Sequence, residues 1–202
     1  MPTTDPQDGD PVAKPPQLLD IDARGLRALA HPLRLNLLNS LRESGPATAS
    51  GLAERLGESS GATSYHLRQL AAYGFVEDDP TLGKGRERWW RAVHVGASFG
   101  PEFLYDPDPE VRGAMGNVLQ WVASVHAQEV GHWIGTTQDW SRAWFEASDL
   151  SDFKVRLTPE LSRQLADEIH ALINSYRGRV SEETEGSAVV RTHLHMFPRS
   201  AS

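Results

Sequence analysis

Closely spaced helix breakers between residues 31 and 74 constrain the fold of this chain more than any other feature. Pro32 suits a first helical position, and Gly45, Gly57 and Gly74 each follow a stretch with apolar residues at helical spacing. The stretches between them have room for roughly two to four helical turns. Short helices bury their apolar sides against one another, so this region predicts a small bundle of crossing helices.

Four short helices are predicted in this region. The first covers residues 22–30, and the second begins at Pro32 and ends before Gly45. The third is capped by Thr48 and closed by Gly57. The core-facing positions of the second and third helices are Leu33, Leu37, Leu38, Leu41, Leu52, Ala53 and Leu56. These two helices form most of the predicted core.

The fourth helix, residues 59–72, has two chemically different sides when about 100° separates successive residues. The side placed toward the core holds Ala62, Thr63, His66, Leu67 and Leu70. The opposite side holds Gly61, Ser64, Tyr65 and Arg68. We expect His66 to be a buried, hydrogen-bonding residue. The outward side is free to contact another molecule.

After Gly74, two short segments predict a β-hairpin. "FVEDD" and "RERWWRAV" have the composition of strands, and "PTLGKG" between them supplies the glycines of a hairpin loop. The loop and second strand are basic, with Glu87 as the single acidic residue from 83 to 91. The basic residues are Lys84, Arg86, Arg88 and Arg91. Three core helices, an outward-facing helix and a basic hairpin predict a winged helix-turn-helix.

Charge is distributed unevenly along the chain. The net charge is −7, which is unusual for a nucleic-acid-binding protein. Residues 20–100, however, carry ten Lys and Arg against nine Asp and Glu, whereas residues 101–202 carry nine against fifteen. A phosphate backbone responds to local potential, so the acidic second half does not exclude DNA binding. Residues 1–19 lack apolar periodicity and predict a disordered tail.

Three separated motifs resemble one known family. They are "ALAHPLRLNLLNSL" at 28–41, "LAERLGESSGATSYHLRQLAAYGFVE" at 52–77 and "GKGRERWWR" at 83–91. In this order and spacing they resemble the winged-helix segments of ArsR-type bacterial transcriptional regulators. The resemblance implies a DNA-binding domain over residues 20–97. It does not extend to metal sensing, because the chain has no cysteine and His126 and Glu129 lack the family's upstream Asp-x-His partner.

The resemblance places helix 59–72 in the major groove of double-stranded DNA. Arg68 is then the main candidate for a base or phosphate contact. The full set of predicted DNA contacts is Ser59, Ser60, Thr63, Ser64, Tyr65, Arg68, Lys84, Arg86 and Arg88. The alternative for the helix is a solvated polar side. The sequence leaves two roles for Arg34, a phosphate contact or a surface salt bridge.

A long helix over residues 108–135 begins the second half. Its apolar stripe includes Val111, Met115, Val118 and Val122. In ArsR-type regulators the helix after the wing forms much of the dimer interface, so the resemblance implies a homodimer. The alternative is that this stripe completes the core of its own chain. A two-fold dimer would present two reading helices to an inverted repeat with half-sites about 10 bp apart.

Residues 140–202 predict an accessory α+β module. "FKVRL" and "AVVRTHLHMF" have strand-like patterns around a helix capped by Thr158, with Pro159 at its first position. The apolar stripe of that helix is Leu161, Leu165, Ile169, Leu172 and Tyr176. The expected fold class is therefore mainly α with small β: an N-terminal winged helix-turn-helix, a long dimerisation helix and a C-terminal α+β module.

Two residue groups in the second half suggest ligands. His193 and His195 share one side of the last predicted strand, but two ligands do not complete a zinc site, so neither a metal nor another cofactor is predicted. A second group could line an apolar cavity for a small-molecule effector, with core packing as the alternative. Its members are Trp121, Trp133, Trp140 and Trp144.

The function expected from these patterns is sequence-specific DNA binding by a dimeric transcriptional regulator. The patterns do not distinguish a repressor from an activator. The alternative is a winged-helix module for protein–protein interaction. An enzyme is not expected, because the sequence has no Gly-rich phosphate loop, nucleophile elbow or His-Glu-x-x-His motif. The sequence shows neither a membrane span nor a signal peptide, so we expect a cytoplasmic protein.

Overall fold

The computed structural model describes residues 18–82, 87–94, 96–181 and 183–199. Within this part, residues 18–131 form one compact unit, termed the winged-helix unit. Residues 132–199 belong to a second, termed the C-terminal unit. None of the helices found in these ranges has the length and apolar character needed to cross a membrane.

Four short helices build most of the winged-helix unit, as predicted. They are α1 (Ala23–Leu29), α2 (Pro32–Ser44), α3 (Ala49–Leu56) and α4 (Ser60–Ala72). Each starts at a side chain that accepts a hydrogen bond from a backbone N–H of the first turn. These capping residues are Asp22, His31, Thr48 and Ser59. The predicted Thr48 cap and the first-turn position of Pro32 are confirmed, and Gly57 ends α3 in a left-handed conformation with φ 68°.

Five short strands complete the unit. They are β1 (Leu18–Asp20), β2 (Ala47–Thr48), β3 (Val76–Asp78), β4 (Trp89–Ala92) and β5 (Gly96–Ser98). The antiparallel β3–β4 hairpin was predicted, and β2 adds to the other edge of β4. The parallel β1–β5 pair was not predicted, since two or three residues give no measurable alternation. Strand β1 includes Leu18 and Leu19, so the predicted disordered tail is too long at that end, and residues 1–17 lie outside the described part.

The core of the winged-helix unit is a cluster of leucines from α1 to α4. Leu37 and Leu52 are fully buried, as are Leu26 and Leu67, and Phe75 and Trp90 close the cluster from the strands. Burying one such leucine contributes roughly 1.5–3 kcal/mol. The core therefore holds the four helices at fixed positions relative to the hairpin.

The long helix α5 (Pro109–Gly135) adds its first half to the same core. Val111, Met115 and Val118 are at most 5% exposed, and Val122 packs against them while partly exposed. The interpretation of this stripe as a dimer interface is therefore wrong for the three buried residues. Helical spacing identifies an apolar side but does not say whether its partner belongs to the same chain. Here the partner is the chain's own leucine cluster.

The C-terminal unit is helical where it is regular. A 3-10 turn (Thr137–Asp139) precedes α6 (Arg142–Ala147) and α7 (Pro159–Asn174). The predicted Thr158 cap is confirmed by its 3.3 Å hydrogen bond from Leu161 N. The two predicted strands are wrong, because the described residues from 132 to 199 include no strand. Alternation fixes which side chains share a face, but a strand also needs a hydrogen-bonded neighbour.

We expect an introduced charge to destabilise the protein at one position of α5 and to have much less effect at the next. Val118 is 1% exposed and Leu119 is 43% exposed. Val118→Glu should destabilise the winged-helix unit by about 4 kcal/mol or more, because it buries an unpaired carboxylate. Leu119→Glu leaves its carboxylate in water within one protomer, so it should lower the unfolding free energy clearly less than Val118→Glu does. Urea unfolding of both variants checks this, and equal losses of stability would contradict the placement of α5.

Candidate nucleic-acid interface

Helix α4 presents one side to the core and the other to solvent. Its buried residues are Thr63, Leu67 and Leu70, which pack toward α2 and α3. The opposite side exposes Tyr65 and Arg68 and leaves Ser64 half-buried. This division follows from the helical repeat of 3.6 residues. The structure thus leaves a polar, uncovered surface on a rigid helix, termed the reading side.

Thr63 does not belong to the reading side. Its side chain is fully buried, and its Oγ1 has no hydrogen-bond partner among the described residues. It lies on the same side of α4 as Leu67 and Leu70, four and seven residues later. The predicted DNA contact by Thr63 is therefore wrong, since a buried hydroxyl cannot reach a base edge without unfolding the helix.

The start of α4 carries two exposed serines. Ser59 Oγ accepts a hydrogen bond from Ala62 N at 3.2 Å and so caps α4. The hydroxyl hydrogen of Ser59 can still be donated to another acceptor. Ser60 is exposed in the first turn. Backbone N–H groups at a helix start also favour anions. Both serines can therefore meet a phosphate at this end of α4.

Arg68 is the cation of the reading side. Its Nε donates to the carbonyl oxygen of Ser64 at 3.0 Å, which fixes the side chain along the helix. No carboxylate within the described ranges forms an ion pair with it. The two terminal nitrogens of the guanidinium group can then approach a guanine or a phosphate as a planar pair of donors.

The described arginines of the hairpin are paired, which the sequence did not predict. Arg88 Nε lies 3.0 Å from Asp78 Oδ2, and its guanidinium carbon lies 5.2 Å from the ring centroid of Trp90. Arg91 contacts Glu77 at 2.6 Å. The antiparallel register sets the acidic strand β3 beside β4, so carboxylates that are distant in sequence offset these charges. Applying the hairpin register to "FVEDD" would have shown this. Lys84 and Arg86 lie outside the described residues.

Two histidines stack between the start of α2 and the inner edge of α4. The ring centroids of His31 and His66 are 4.4 Å apart, and both side chains are half-buried. His31 Nδ1 accepts from Leu33 N at 3.2 Å, whereas His66 Nδ1 is buried without a hydrogen-bond partner in the described part. His66 was predicted to be buried and hydrogen-bonded; its side chain is half-buried, and its Nδ1 has no hydrogen-bond partner among the described residues.

The surroundings of this pair favour neutral imidazoles. Burial lowers the pKa of His31, and the nearby guanidinium of Arg34 lowers it further, with a smaller opposing effect from Glu58. Burial also lowers the pKa of His66, followed by the charges of His31 and Arg34. A proton on His31 Nδ1 would in addition remove the cap of α2. Acid should therefore weaken the contact between α2 and α4.

The remaining candidates belong to other elements than α4. His193 and His195 have ring centroids 6.4 Å apart, and the described residues contain no group of three or more His, Asp or Glu that could hold a metal. Trp121 Nε1 donates to Asn36 Oδ1 at 2.8 Å and packs against the winged-helix core. Trp133, Trp140 and Trp144 belong to the C-terminal unit, where the last two rings are 6.2 Å apart. A ligand cavity lined by these tryptophans stays a prediction.

Comparison with known proteins identifies the central part of this region. Residues 29–79 match a family model described as a helix-turn-helix domain. This stretch is similar to a helix-turn-helix domain. It contains α2, α3 and α4, with α4 in the position of the second, recognition helix. No curated protein matches the chain significantly.

Several solved structures are similar to part of this chain. NolR from Sinorhizobium fredii is 23% identical, covers 47% of this chain and 77% of its own, and has a TM-score of 0.31. The antimony-specific repressor AntR is 24% identical over 50% of this chain and 76% of its own, with a TM-score of 0.32. Mb0332 from Mycobacterium bovis, described as a homodimeric domain and possible ArsR-family regulator, is 22% identical over 53% and 83%, with a TM-score of 0.32.

The family model agrees with the helix-turn-helix part of the resemblance that the three motifs indicated.

We expect the histidine pair to make the winged-helix unit less stable in acid. A histidine with a lowered pKa binds fewer protons folded than unfolded, so the unfolding free energy falls as the pH drops below about 6.5. Melting temperatures should therefore fall between pH 7.5 and pH 5.5. His31→Asn should remove part of this fall and keep the cap, since Asn is a preferred capping residue.

The control for this experiment is His170→Gln, which changes an exposed histidine of α7. It should retain the full dependence on pH. Equal melting temperatures for the wild type at the two pH values would contradict the account, as would equal effects of His31→Asn and His170→Gln.

Proposed function

We propose that this chain is a dimeric transcriptional regulator that reads an inverted repeat with α4 in the major groove. The observation that carries the proposal is the reading side, a polar helix surface that the core holds in place and no other described segment covers. Arg68 meets a guanine edge or an adjacent phosphate, with Ser64 and Tyr65 beside it. Ser59 and Ser60 donate to a phosphate at the helix start.

The three basic residues predicted to contact phosphates from the hairpin differ in the observations that support that contact. They are Lys84, Arg86 and Arg88. Lys84 and Arg86 stay predicted phosphate contacts on sequence grounds, as basic residues beside loop glycines. Arg88 is already paired with Asp78, so a phosphate would have to compete with that carboxylate. We therefore assign Arg88 a smaller part in DNA binding than the other two.

The dimer uses the uncovered side of α5 in this proposal. Leu119 is 43% exposed, and Val122 and Val125 are half-buried along the same helix. These residues remain accessible after Val111, Met115 and Val118 have joined the core. A two-fold axis through this side would set two α4 helices at half-sites about 10 bp apart.

The second candidate function is a protein–protein interaction through the same winged helix. It is favoured by one observation: the described arginines of the hairpin are offset by Glu77, Asp78 and Asp79. A hairpin with little net charge is less suited to a phosphate backbone. A wild-type protein that binds no duplex would favour this candidate.

We expect Arg68 and the hairpin loop to contribute differently to DNA binding. Arg68→Ala should cost about 1–3 kcal/mol on a preferred duplex and relax sequence preference, because it removes a base contact. Lys84→Ala with Arg86→Ala should weaken binding to preferred and scrambled duplexes equally, and each lost phosphate contact should lower the salt slope by about one per protomer. Arg88→Ala is the matched control and should have the smallest effect.

The measurement is a salt titration of binding to both duplexes for the wild type and each variant. If the loop variant lost discrimination while Arg68→Ala kept it, the assignment of α4 as the reading element would be wrong.

We expect Leu119→Glu to separate the dimer without unfolding it. The charge would enter an apolar interface between two chains, whereas the free monomer leaves the position in water. Sedimentation at micromolar concentration should show a dimer for the wild type and a monomer for the variant. The variant should also bind an inverted repeat more weakly, since one half-site offers fewer contacts. A monomeric wild type would refute the dimer.

A further inference from the structure

A surface hollow lies between residues of α1, α2 and the end of α4. Its volume is ≈ 290 Å³. It is lined by Arg24, Arg27, Ala28, Arg34, Gln69 and Tyr73. The lining contains three guanidinium groups, an amide and a phenol, all of which donate hydrogen bonds, and no carboxylate. Such a set of donors suits an anion.

Two of the three guanidinium groups in the hollow lack a balancing charge. Arg27 pairs with Asp108 at 2.7 Å. Arg24 is exposed and forms no ion pair with any described residue. Arg34 Nε is buried without a hydrogen-bond partner in the same ranges, and one terminal nitrogen donates to the Arg27 carbonyl oxygen at 3.4 Å. The hollow is therefore positive and has unused donors.

The surroundings of Arg34 show what an anion would contribute. Burial lowers the pKa of Arg34, while Tyr65 and Tyr73 oppose this shift. The charged guanidinium has thus lost part of its hydration without gaining an anionic partner. A phosphate in the hollow beside the Arg34 guanidinium would supply both a charge and hydrogen-bond acceptors.

The hollow borders the reading side of α4. Tyr65, Gln69 and Tyr73 follow one another at four-residue steps, so they lie along one line of the helix and its end. Tyr65 is 53% exposed beside Arg68, and Gln69 and Tyr73 line the hollow. A DNA strand in contact with the reading side would therefore pass close to Arg24 and Arg34.

We propose that this hollow binds a phosphate group, and that in the DNA complex the group belongs to the backbone beside the groove that α4 enters. The second half of this proposal rests on the proposed function. Arginine forks match phosphate geometry with two parallel donors. Organic ligands prefer larger and mostly apolar pockets, whereas every lining residue here except Ala28 is polar. The sequence alone leaves the role of Arg34 undecided between a phosphate contact and a surface salt bridge, and it assigns no role to Arg24.

The test compares Arg24→Gln and Arg34→Gln with the wild-type chain. Salt titrations on a selected duplex and a scrambled duplex give the slope of log K against log salt concentration. Each variant should lower the slope by about one per protomer on both duplexes, with the ratio of the two affinities unchanged. The control is Arg112→Gln, because Arg112 is an exposed arginine of the same unit that donates to the carbonyls of Asp106 and Pro107. It should keep the wild-type slope.

The outcomes separate this proposal from the proposed function. A wild type that binds no duplex contradicts the proposed function. If the wild type binds DNA and both arginine variants keep its salt slope, the phosphate site in the hollow is contradicted and the proposed function is not. Arg24 is exposed, so its replacement keeps the test valid even if Arg34→Gln unfolds the unit.

A second arm distinguishes a backbone phosphate from a free phosphate compound. Melting temperatures are compared in millimolar pyrophosphate and in sodium chloride of equal ionic strength. We expect at most a small rise with pyrophosphate, because one hollow without the rest of the DNA contacts binds weakly. A large rise that needs Arg24 and Arg34, together with unchanged salt slopes, would overturn the assignment to DNA.

Discussion

The packing of the inner side of α4 on the leucine cluster is the constraint on which the rest of the structure depends. Leu67 and Leu70 are at most 1% exposed, and each contributes roughly 1.5–3 kcal/mol by leaving water. Because these residues and Thr63 must face inward, Tyr65 and Arg68 must face outward. The direction of the reading side is therefore a consequence of core packing. The stacked His31 and His66 join α2 to the same helix.

The helices could be predicted because their ends are determined by interactions between residues close in sequence. Thr48, Ser59 and Thr158 each accept a hydrogen bond from the first turn of their own helix, and Gly57 supplies the left-handed residue after α3. These interactions involve residues within about one turn of each other. Cap and breaker positions are therefore visible in sequence without knowledge of the tertiary structure.

The misassigned features depend on partners distant in sequence. The stripe of Val111, Met115 and Val118 has the same periodicity whether it packs on a second chain or on its own core. Pairing of Arg88 with Asp78 requires the register of β3 and β4. The predicted strands of the C-terminal unit had the right alternation but no neighbour to complete a ladder. Local patterns specify a surface, and the fold decides what covers it.

Electrostatics within the described part of the winged-helix unit are set by the helices more than by the hairpin. The positive charges of Arg88 and Arg91 are offset by nearby carboxylates. These carboxylates belong to Glu77, Asp78 and Asp79. Arg24, Arg34 and Arg68, on α1, α2 and α4, form no ion pair with a described residue. Positive charge available to DNA thus lies beside the reading side. This arrangement makes the proposed DNA binding compatible with a net charge of −7.

The most direct test of the central claim is selection of bound sequences from a random pool of DNA duplexes by the purified full-length protein. The account predicts enrichment of an inverted repeat whose half-sites are about 10 bp apart, since two copies of α4 would enter successive major grooves. Failure to enrich any sequence, under salt conditions in which a known helix-turn-helix regulator enriches its own site, would contradict the claim that α4 reads DNA.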